Sequence, residues 1–350
     1  MSILKTALPV LLALFLTAPT PLSTDGAPPL TAVKYVDALP ESWSPLAEST
    51  PAGDFLLERT REPLYRMDDQ GGKKPVLAAI PEDVTALYAG DALFGVPYGA
   101  ERGYAFQINL LPEACWQDGS PITAQTLAQT LELLLTGEKL EQFPAIANWE
   151  SYCAGKIPAN GQVISLQEAG FSTVEEAGQA GYTAFYVNTD HFWGLDKGWL
   201  PITDGTRLFD AAVQPGIFEQ YITAAYLYRQ YLATGREYDY LQSEFVGISG
   251  NPEDKFTFQQ VGIQVTGDRQ ITLILENPTV PTALMLALSE VHLINPDLAG
   301  ADYCTSAETG DSCGAYIVTA VTDREIVLDL NPAFPGETPK IGRVICRLGE

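Results

Sequence analysis

Apolar residues along this chain follow the periods of both strands and helices. Short apolar or alternating runs predict β-strands at residues 30–37, 104–110 and 341–348. Longer segments carry apolar residues every three or four positions and predict helices at residues 54–66, 124–135 and 216–234. The chain therefore contains strands near both of its ends, with helices between them.

One segment joins a predicted strand to a predicted helix with a defined turn. It reads Trp116-Gln-Asp-Gly-Ser-Pro-Ile-Thr-Ala124. Asp118 and Gly119 predict a turn, Pro121 stiffens its exit, and Thr123 is placed to cap the helix. Thr126 occupies the position of the reciprocal capping partner, where it is weaker than a Glu or Gln. The segment predicts a structural junction and no ligand contact.

Length and charge limit the function classes. The 350 residues predict roughly two domains, or one large domain with an insertion, and an apolar content of 46% supports a real core. The chain has 20 Lys and Arg against 44 Asp and Glu, a formal net charge of −24. Nucleic-acid binding requires clustered basic residues, so we do not expect it.

The first 26 residues are typical of a secretory signal peptide. Lys5 precedes an apolar stretch at residues 7–16 that is too short to span a membrane. We expect cleavage before Ala27 and export to the periplasm, the cell envelope or the outside of the cell. The first cysteine is Cys115, so no lipid-modified cysteine is expected behind the apolar stretch. The alternative is a buried N-terminal helix.

Several segments, in order, resemble the family 5 extracellular solute-binding proteins, the oligopeptide- and dipeptide-binding subunits of ABC importers. Residues 116–124 resemble the W-x-D-G-x-P-x-T-A signature of that family. Weaker matches follow at residues 146–156, in a hairpin at 261–278, in the Gly-Ala-Tyr strand at 313–318, and in the Asn-Pro strand at 325–334. Their common order carries more weight than any one of them.

The resemblance implies an α/β fold of the type II periplasmic-binding-protein architecture. It assigns residues 27–156 to the first part of lobe one, 157–254 to an inserted helical and aromatic-rich subdomain, and 255–350 to the remainder of lobe one. In the family, the strand matched at 341–348 leads into a second lobe. We therefore expect that these 350 residues do not include lobe two.

The function implied by the resemblance is solute capture without catalysis. The expected ligand is a peptide, or a nickel complex, heme or sugar, delivered to an ABC permease and its ATPase subunits. We expect a monomer without a cofactor or a metal. The alternative is a truncated remnant, or an extracellular interaction or docking module, that does not bind a ligand with high affinity.

The resemblance also places candidate ligand-binding residues on the cleft face of lobe one. They are Leu39, Pro40 and Glu41 in the first loop, and Cys313 before the Gly-Ala-Tyr segment. Glu41 is placed to hold a peptide amino terminus, although a solvated loop carboxylate is the simpler interpretation. Phe143 and Trp149 are candidates from their position near residues 146–156, with core packing as the alternative.

The five cysteines allow at most two disulfides, so at least one thiol stays free or pairs outside the chain. Cys304 and Cys313 flank a loop-like run and are the best candidate pair. An exported location would permit this bond.

Catalysis lacks a convincing motif. The chain has no H-E-x-x-H helix and no Walker loop, and we expect no G-x-S-x-G nucleophile elbow. His191 follows Asp190 directly, but adjacent side chains rarely point at each other, and spaced carboxylate ligands for a metal are missing. We expect no enzyme.

Overall fold

The computed structural model describes residues 30–67, 72–140, 142–188, 199–202 and 246–349. The predicted signal peptide at 1–26, the predicted helix at 216–234 and the pair Asp190 and His191 lie outside these ranges. Among the described residues, no helix is both long and apolar enough to cross a bilayer.

The described elements include both strands and helices. The strands are β1 (Thr31–Val36), β2 (Tyr65–Met67), β3 (Lys73–Pro75), β4 (Glu82–Asp83), β5 (Ala105–Asn109), β6 (Val163–Ser165), β7 (Ala184–Asn188), β8 (Trp199–Ile202), β9 (Val246–Ser249), β10 (Ile263–Gly267), β11 (Gln270–Ile274), β12 (Tyr316–Val321), β13 (Glu325–Leu330) and β14 (Arg343–Leu348). The α-helices are α1 (Pro51–Thr60), α2 (Thr85–Tyr88), α3 (Ala124–Thr136), α4 (Trp149–Cys153), α5 (Val174–Gln179) and α6 (Pro281–Leu288). The fold is α/β, as expected.

Two four-stranded sheets share the main hydrophobic core. The first has the order β1-β14-β13-β12, in which β1 runs parallel to β14 and the other neighbours are antiparallel. The second has the antiparallel order β10-β11-β5-β4. Side chains of both sheets and of α1, α3 and α6 belong to one buried cluster, for example Leu56, Phe106, Leu131, Leu284 and Leu328. This arrangement leaves β1 at the edge of the first sheet, beside the end of α1.

The described part of residues 157–254 has a sheet and a small core of its own. Its strand order is β6-β9-β7-β8. Its buried cluster is separate from the main core and consists of Ile157, Leu166, Ala177, Tyr182 and Ile248. The division of the chain at 157 and 254 remains a prediction.

Helix α3 follows the sequence prediction closely. Thr123 accepts a hydrogen bond from the Thr126 amide at 3.2 Å, and the Thr126 hydroxyl accepts one from the Thr123 amide at 3.4 Å. The reciprocal contact is therefore present and long, as expected for Thr at this position. The helix ends at Thr136, before Gly137.

Helix α1 ends earlier than predicted. The pattern predicted a helix over residues 54–66, whereas α1 covers Pro51–Thr60. Arg61 is extended, with φ −126° and ψ 133°, and Pro63 lacks the amide that a further helical turn would need. The chain then enters β2 at Tyr65, so the residues between α1 and β2 are directed toward the protein interior.

Candidate functional site

A cavity of about 770 Å³ lies where β1, the end of α1 and the start of β12 meet. We call it the β1 groove. Its apolar walls come from Val33, Phe55, Tyr316, Phe334 and Ile341. Among the described residues β1 has β14 as its only strand neighbour, and Ala32, Val33 and Lys34 of β1 line the groove.

The β1 groove carries charges of both signs. Four of the 20 basic residues of the chain line it, namely Lys34, Arg59, Arg61 and Arg66. Three acids also line it, namely Glu58, Glu62 and Glu337. Asp311 pairs with Arg61 from outside the lining, so the basic and acidic groups at the groove are balanced.

Arg61 forms the floor of the groove and is completely buried, with 0% exposure. Its guanidinium group donates to the Asp311 carboxylate and main-chain oxygen and, at 2.8 Å, to the Tyr303 hydroxyl. Tyr303 in turn donates to the Asp311 carboxylate at 2.8 Å. Burial alone would lower the pKa of Arg61, but Asp311 and Tyr303 raise it above its usual value. Arg61 is thus held as a buried cation.

His292 lines the same groove and is held neutral. Burial, together with the positive charges of Arg61 and Arg66, lowers its pKa to about 4. Its Nδ1 atom is buried without a hydrogen-bond partner among the described residues, and so is Nε of Arg61. Unpaired buried polar atoms are costly and uncommon in native proteins. Asp311 Oδ2, beside Arg61, is also buried without a partner among the described residues.

The depressed pKa of His292 predicts a loss of stability in acid. The unfolded chain binds a proton near pH 6.5, whereas the folded chain resists it until about pH 4. The effect of His292 on the free energy of unfolding is therefore constant above pH 6.5. Between pH 6.5 and about 4, the free energy of unfolding falls with decreasing pH by at most about 1.4 kcal/mol per pH unit. In urea unfolding at several pH values, His292→Asn should weaken this dependence. Equal pH profiles for wild type and His292→Asn would contradict the assignment.

The predicted first loop lies next to the Arg61 cluster rather than in the groove. Leu39 is half-buried against the main core, Pro40 packs beside Gly53 at the start of α1, and Glu41 is exposed. The loop is anchored by Trp43, whose amide donates to the Cys304 carbonyl at 3.0 Å. The contribution of Leu39, Pro40 and Glu41 to ligand binding remains a prediction.

Phe143 and Trp149 lie apart from the β1 groove. Phe143 lines a second cavity of about 740 Å³, which also includes Pro278 and Leu286. Trp149 is half-buried against the main core, with its ring centroid 5.8 Å from that of Tyr152. The structure does not bring these two residues together with the loop at 39–41.

The structure corrects the predicted disulfide. All five cysteines are free thiols, including Cys304 and Cys313. The two sulfur atoms have different partners, since Arg61 donates to Cys304 Sγ at 3.4 Å whereas Cys313 Sγ lies 4.0 Å from the Glu62 carbonyl. Burial raises the pKa of the Cys313 thiol to about 11. With 1% exposure, its side chain belongs to the core, while Ala315 and Tyr316 reach the groove wall.

The prediction that the sequence lacks the nucleophile-elbow spacing is wrong. Residues 310–314 read Gly-Asp-Ser-Cys-Gly, which has the G-x-S-x-G spacing of a nucleophile elbow. An elbow places its serine between a strand and a helix, next to a histidine. Here Ser312 is buried in a bend before β12, and its hydroxyl contacts the carbonyls of Thr60 and Tyr316 at 2.7 and 2.6 Å. The Ser312 hydroxyl therefore serves to hold the backbone of residues 60 and 316 together.

The central residues of the site were not candidates in the sequence. Arg61 and Asp311 are 250 positions apart, and His292 stands in an apolar run without a neighbouring charge pattern. In the helix predicted over residues 54–66, Arg61 would share a face with Leu57 and Leu64, and this was the local sign of its burial. Within the described ranges, no group of three or more His, Cys, Asp and Glu is placed to hold a metal ion.

No protein-family model matches the chain, and no curated protein does either. Solved structures are similar at low identity. The pheromone receptor PrgZ has a TM-score of 0.48 at 13% identity, and Listeria monocytogenes OppA bound to peptide has 0.46 at 12%. Haemophilus influenzae OppA in complex with RPPGFSPFR has 0.47 at 13%. These matches cover 91–92% of this chain and 42% of each of the other chains, so the chain spans about two fifths of their length.

Proposed function

We propose that this chain captures peptides in the β1 groove as the first lobe of a family 5 solute-binding protein. The observation that carries the proposal is the position of β1 at the edge of its sheet, with β14 as its only strand neighbour among the described residues, beside a cavity of about 770 Å³. An extended peptide can add to such an edge through main-chain hydrogen bonds, which are independent of its sequence.

The walls of the groove have the other features that peptide capture requires. Peptide side chains need apolar pockets, and the two termini need charges of opposite sign. Phe55, Tyr316 and Phe334 supply aromatic surface next to Lys34 and Glu337. The volume also lies within the range of about 300–1,000 Å³ that is usual for ligand sites.

Delivery to a transporter is the wider role that we propose. The ordered motifs between residues 116 and 334 support a solute-binding component that is exported and works with an ABC permease. The permease and its ATPase subunits would supply the energy, so this chain would bind its ligand without chemical change.

Native mass spectrometry of the full chain tests peptide capture. The protein, purified without denaturant, is mixed with a tryptic digest of casein, and masses that remain bound are identified. Wild type is expected to retain a heterogeneous set of peptides. Ala32→Trp should fill the groove and abolish retention, because Ala32 is a half-buried residue of its wall.

Ala320→Trp is the matched control for this experiment. Ala320 is exposed on β12, at the opposite edge of the same sheet, and does not line the groove. This variant should retain peptides as wild type does. A folded wild-type protein that stays free of ligand would contradict the proposal and favour an interaction or docking module.

A further inference from the structure

The loop between β4 and β5 exposes several large apolar side chains. It covers residues 84–103 and includes the short helix α2. Leu87 is 80% exposed, Tyr98 is 57% exposed and Leu93 is 40% exposed. Single exposed apolar residues are ordinary, whereas several in one short loop mark a surface that a partner covers.

The two ends of this loop are tied together. The Asp83 carboxylate accepts hydrogen bonds from the Thr85 amide at 3.1 Å and from the Gly103 amide at 2.8 Å. The Thr85 hydroxyl oxygen accepts from the amides of Tyr104 and Ala105 at 2.9 and 3.0 Å. A compact surface loop whose ends adjoin in this way is frequently functional.

The interior of the loop is also packed. Tyr88 and Phe94 pack against a small buried cluster, and their rings meet edge-on with centroids 6.3 Å apart. Asn148 donates to the Leu93 carbonyl at 2.9 Å and to the Gln260 carbonyl at 2.8 Å, which fixes the loop to the rest of the protein. The exposed side chains therefore stand on a supported backbone, and a partner would not need to order it first.

The charges of this region are predominantly negative. Residues 82–103 contain Glu82, Asp83, Asp91 and Glu101, against Arg102 as the single basic residue. Among the described residues, none of these five side chains belongs to an ion pair. A second copy of this chain, with its net charge of −24, would bring like charges together. An anionic membrane surface would do the same.

We propose that the loop at 84–103 is a docking surface for a protein segment with an apolar face flanked by Lys or Arg. The apolar face would cover Leu87 and Tyr98, and the cations would meet the exposed carboxylates of Glu82 and Glu101. Tyrosine is among the residues that most often anchor interfaces. None of these residues lines the β1 groove, so this docking surface is separate from the proposed peptide site.

Fluorescence anisotropy with two labelled peptides tests the docking surface. The full chain is titrated into a helical peptide of leucine and lysine with one apolar face, and into its counterpart with glutamate in place of lysine. The lysine peptide should bind and the glutamate peptide should not. Added salt should weaken the binding, because it screens exposed charges. Binding of both peptides with equal affinity, or of neither, would overturn the proposal.

Matched double variants locate the binding. Leu87→Ser with Tyr98→Ser removes apolar surface from the loop and should weaken binding of the lysine peptide by about tenfold or more. Leu298→Ser with Val321→Ser is the control, because these side chains are 43% and 39% exposed and lie outside the loop. Equal affinities of the two double variants would overturn the proposal. If the loop variant does not fold, Leu87→Ser alone decides by the same criterion.

The alternative occupants of the loop give different results. Analytical ultracentrifugation at several protein concentrations detects a second copy, and co-sedimentation with vesicles of phosphatidylcholine and phosphatidylglycerol detects a membrane surface. We expect a monomer and no co-sedimentation, because both of these partners are negatively charged. Self-association or vesicle binding that is lost in Leu87→Ser would overturn the basic protein partner and assign the loop to that occupant instead.

Discussion

Asp311→Ala is expected to destabilise the protein by about 3–5 kcal/mol, the largest effect that we predict. The substitution leaves the guanidinium group of Arg61 buried without its carboxylate partner. Tyr303 would also lose the acceptor of its hydroxyl hydrogen. The measurement is urea unfolding followed by tryptophan fluorescence, since the Trp116 ring lies 5.5 Å from the Arg61 guanidinium carbon.

Asp329→Ala is the control, because Asp329 forms an exposed ion pair with Arg343 at 2.7 Å. Such surface pairs contribute about 0–1 kcal/mol. Equal losses in the free energy of unfolding for Asp311→Ala and Asp329→Ala would contradict the prediction that the buried pair of Arg61 and Asp311 is the more important one. The double replacement Arg61→Met with Asp311→Leu should recover most of the loss, because it removes both charges from the interior.

Gly314→Ala should have the second largest effect and lower the free energy of unfolding by about 3 kcal/mol. A Cβ atom at this position would lie 2.6 Å from the Arg59 carbonyl oxygen and 2.8 Å from the Arg61 amide nitrogen. Both are backbone atoms, so the conflict can be relieved only by moving the end of α1 away from β12. This movement would displace Arg61 and widen the β1 groove, and peptide retention should fall together with stability.

Gly300→Ala is the matched control for that substitution. Its added Cβ would have the Leu298 oxygen as its nearest neighbour, at 3.9 Å, so we expect a change within about 0.5 kcal/mol. The free energies of unfolding and the peptide retention of both variants are measured together. A Gly314→Ala protein as stable as Gly300→Ala would show that the contact between α1 and residue 314 is not tight.

The sequence by itself determined the local elements, because their signals are carried by neighbouring residues. Thr123 and Gly137 bound α3, and the turn before Gln270 joins β10 to β11. The strands predicted near the two ends of the chain, at 30–37 and 341–348, form as β1 and β14. Each pattern needs only a hydrophobic period and a capping or turn residue, so no distant contact is required to recognise it.

Only the tertiary structure decided the site, because its contacts join residues that are far apart in the chain. Arg61 looked like part of a helix, and its burial follows from Asp311, 250 positions later. Cys304 and Cys313 looked like a pair across a loop, yet the fold directs their thiols to Arg61 and to the Glu62 carbonyl. The environment of a charged side chain is known only from the folded chain, because burial and partners set both its pKa and its hydrogen bonds. The sequence therefore predicted the scaffold, and the topology of the first sheet and α1 created the groove.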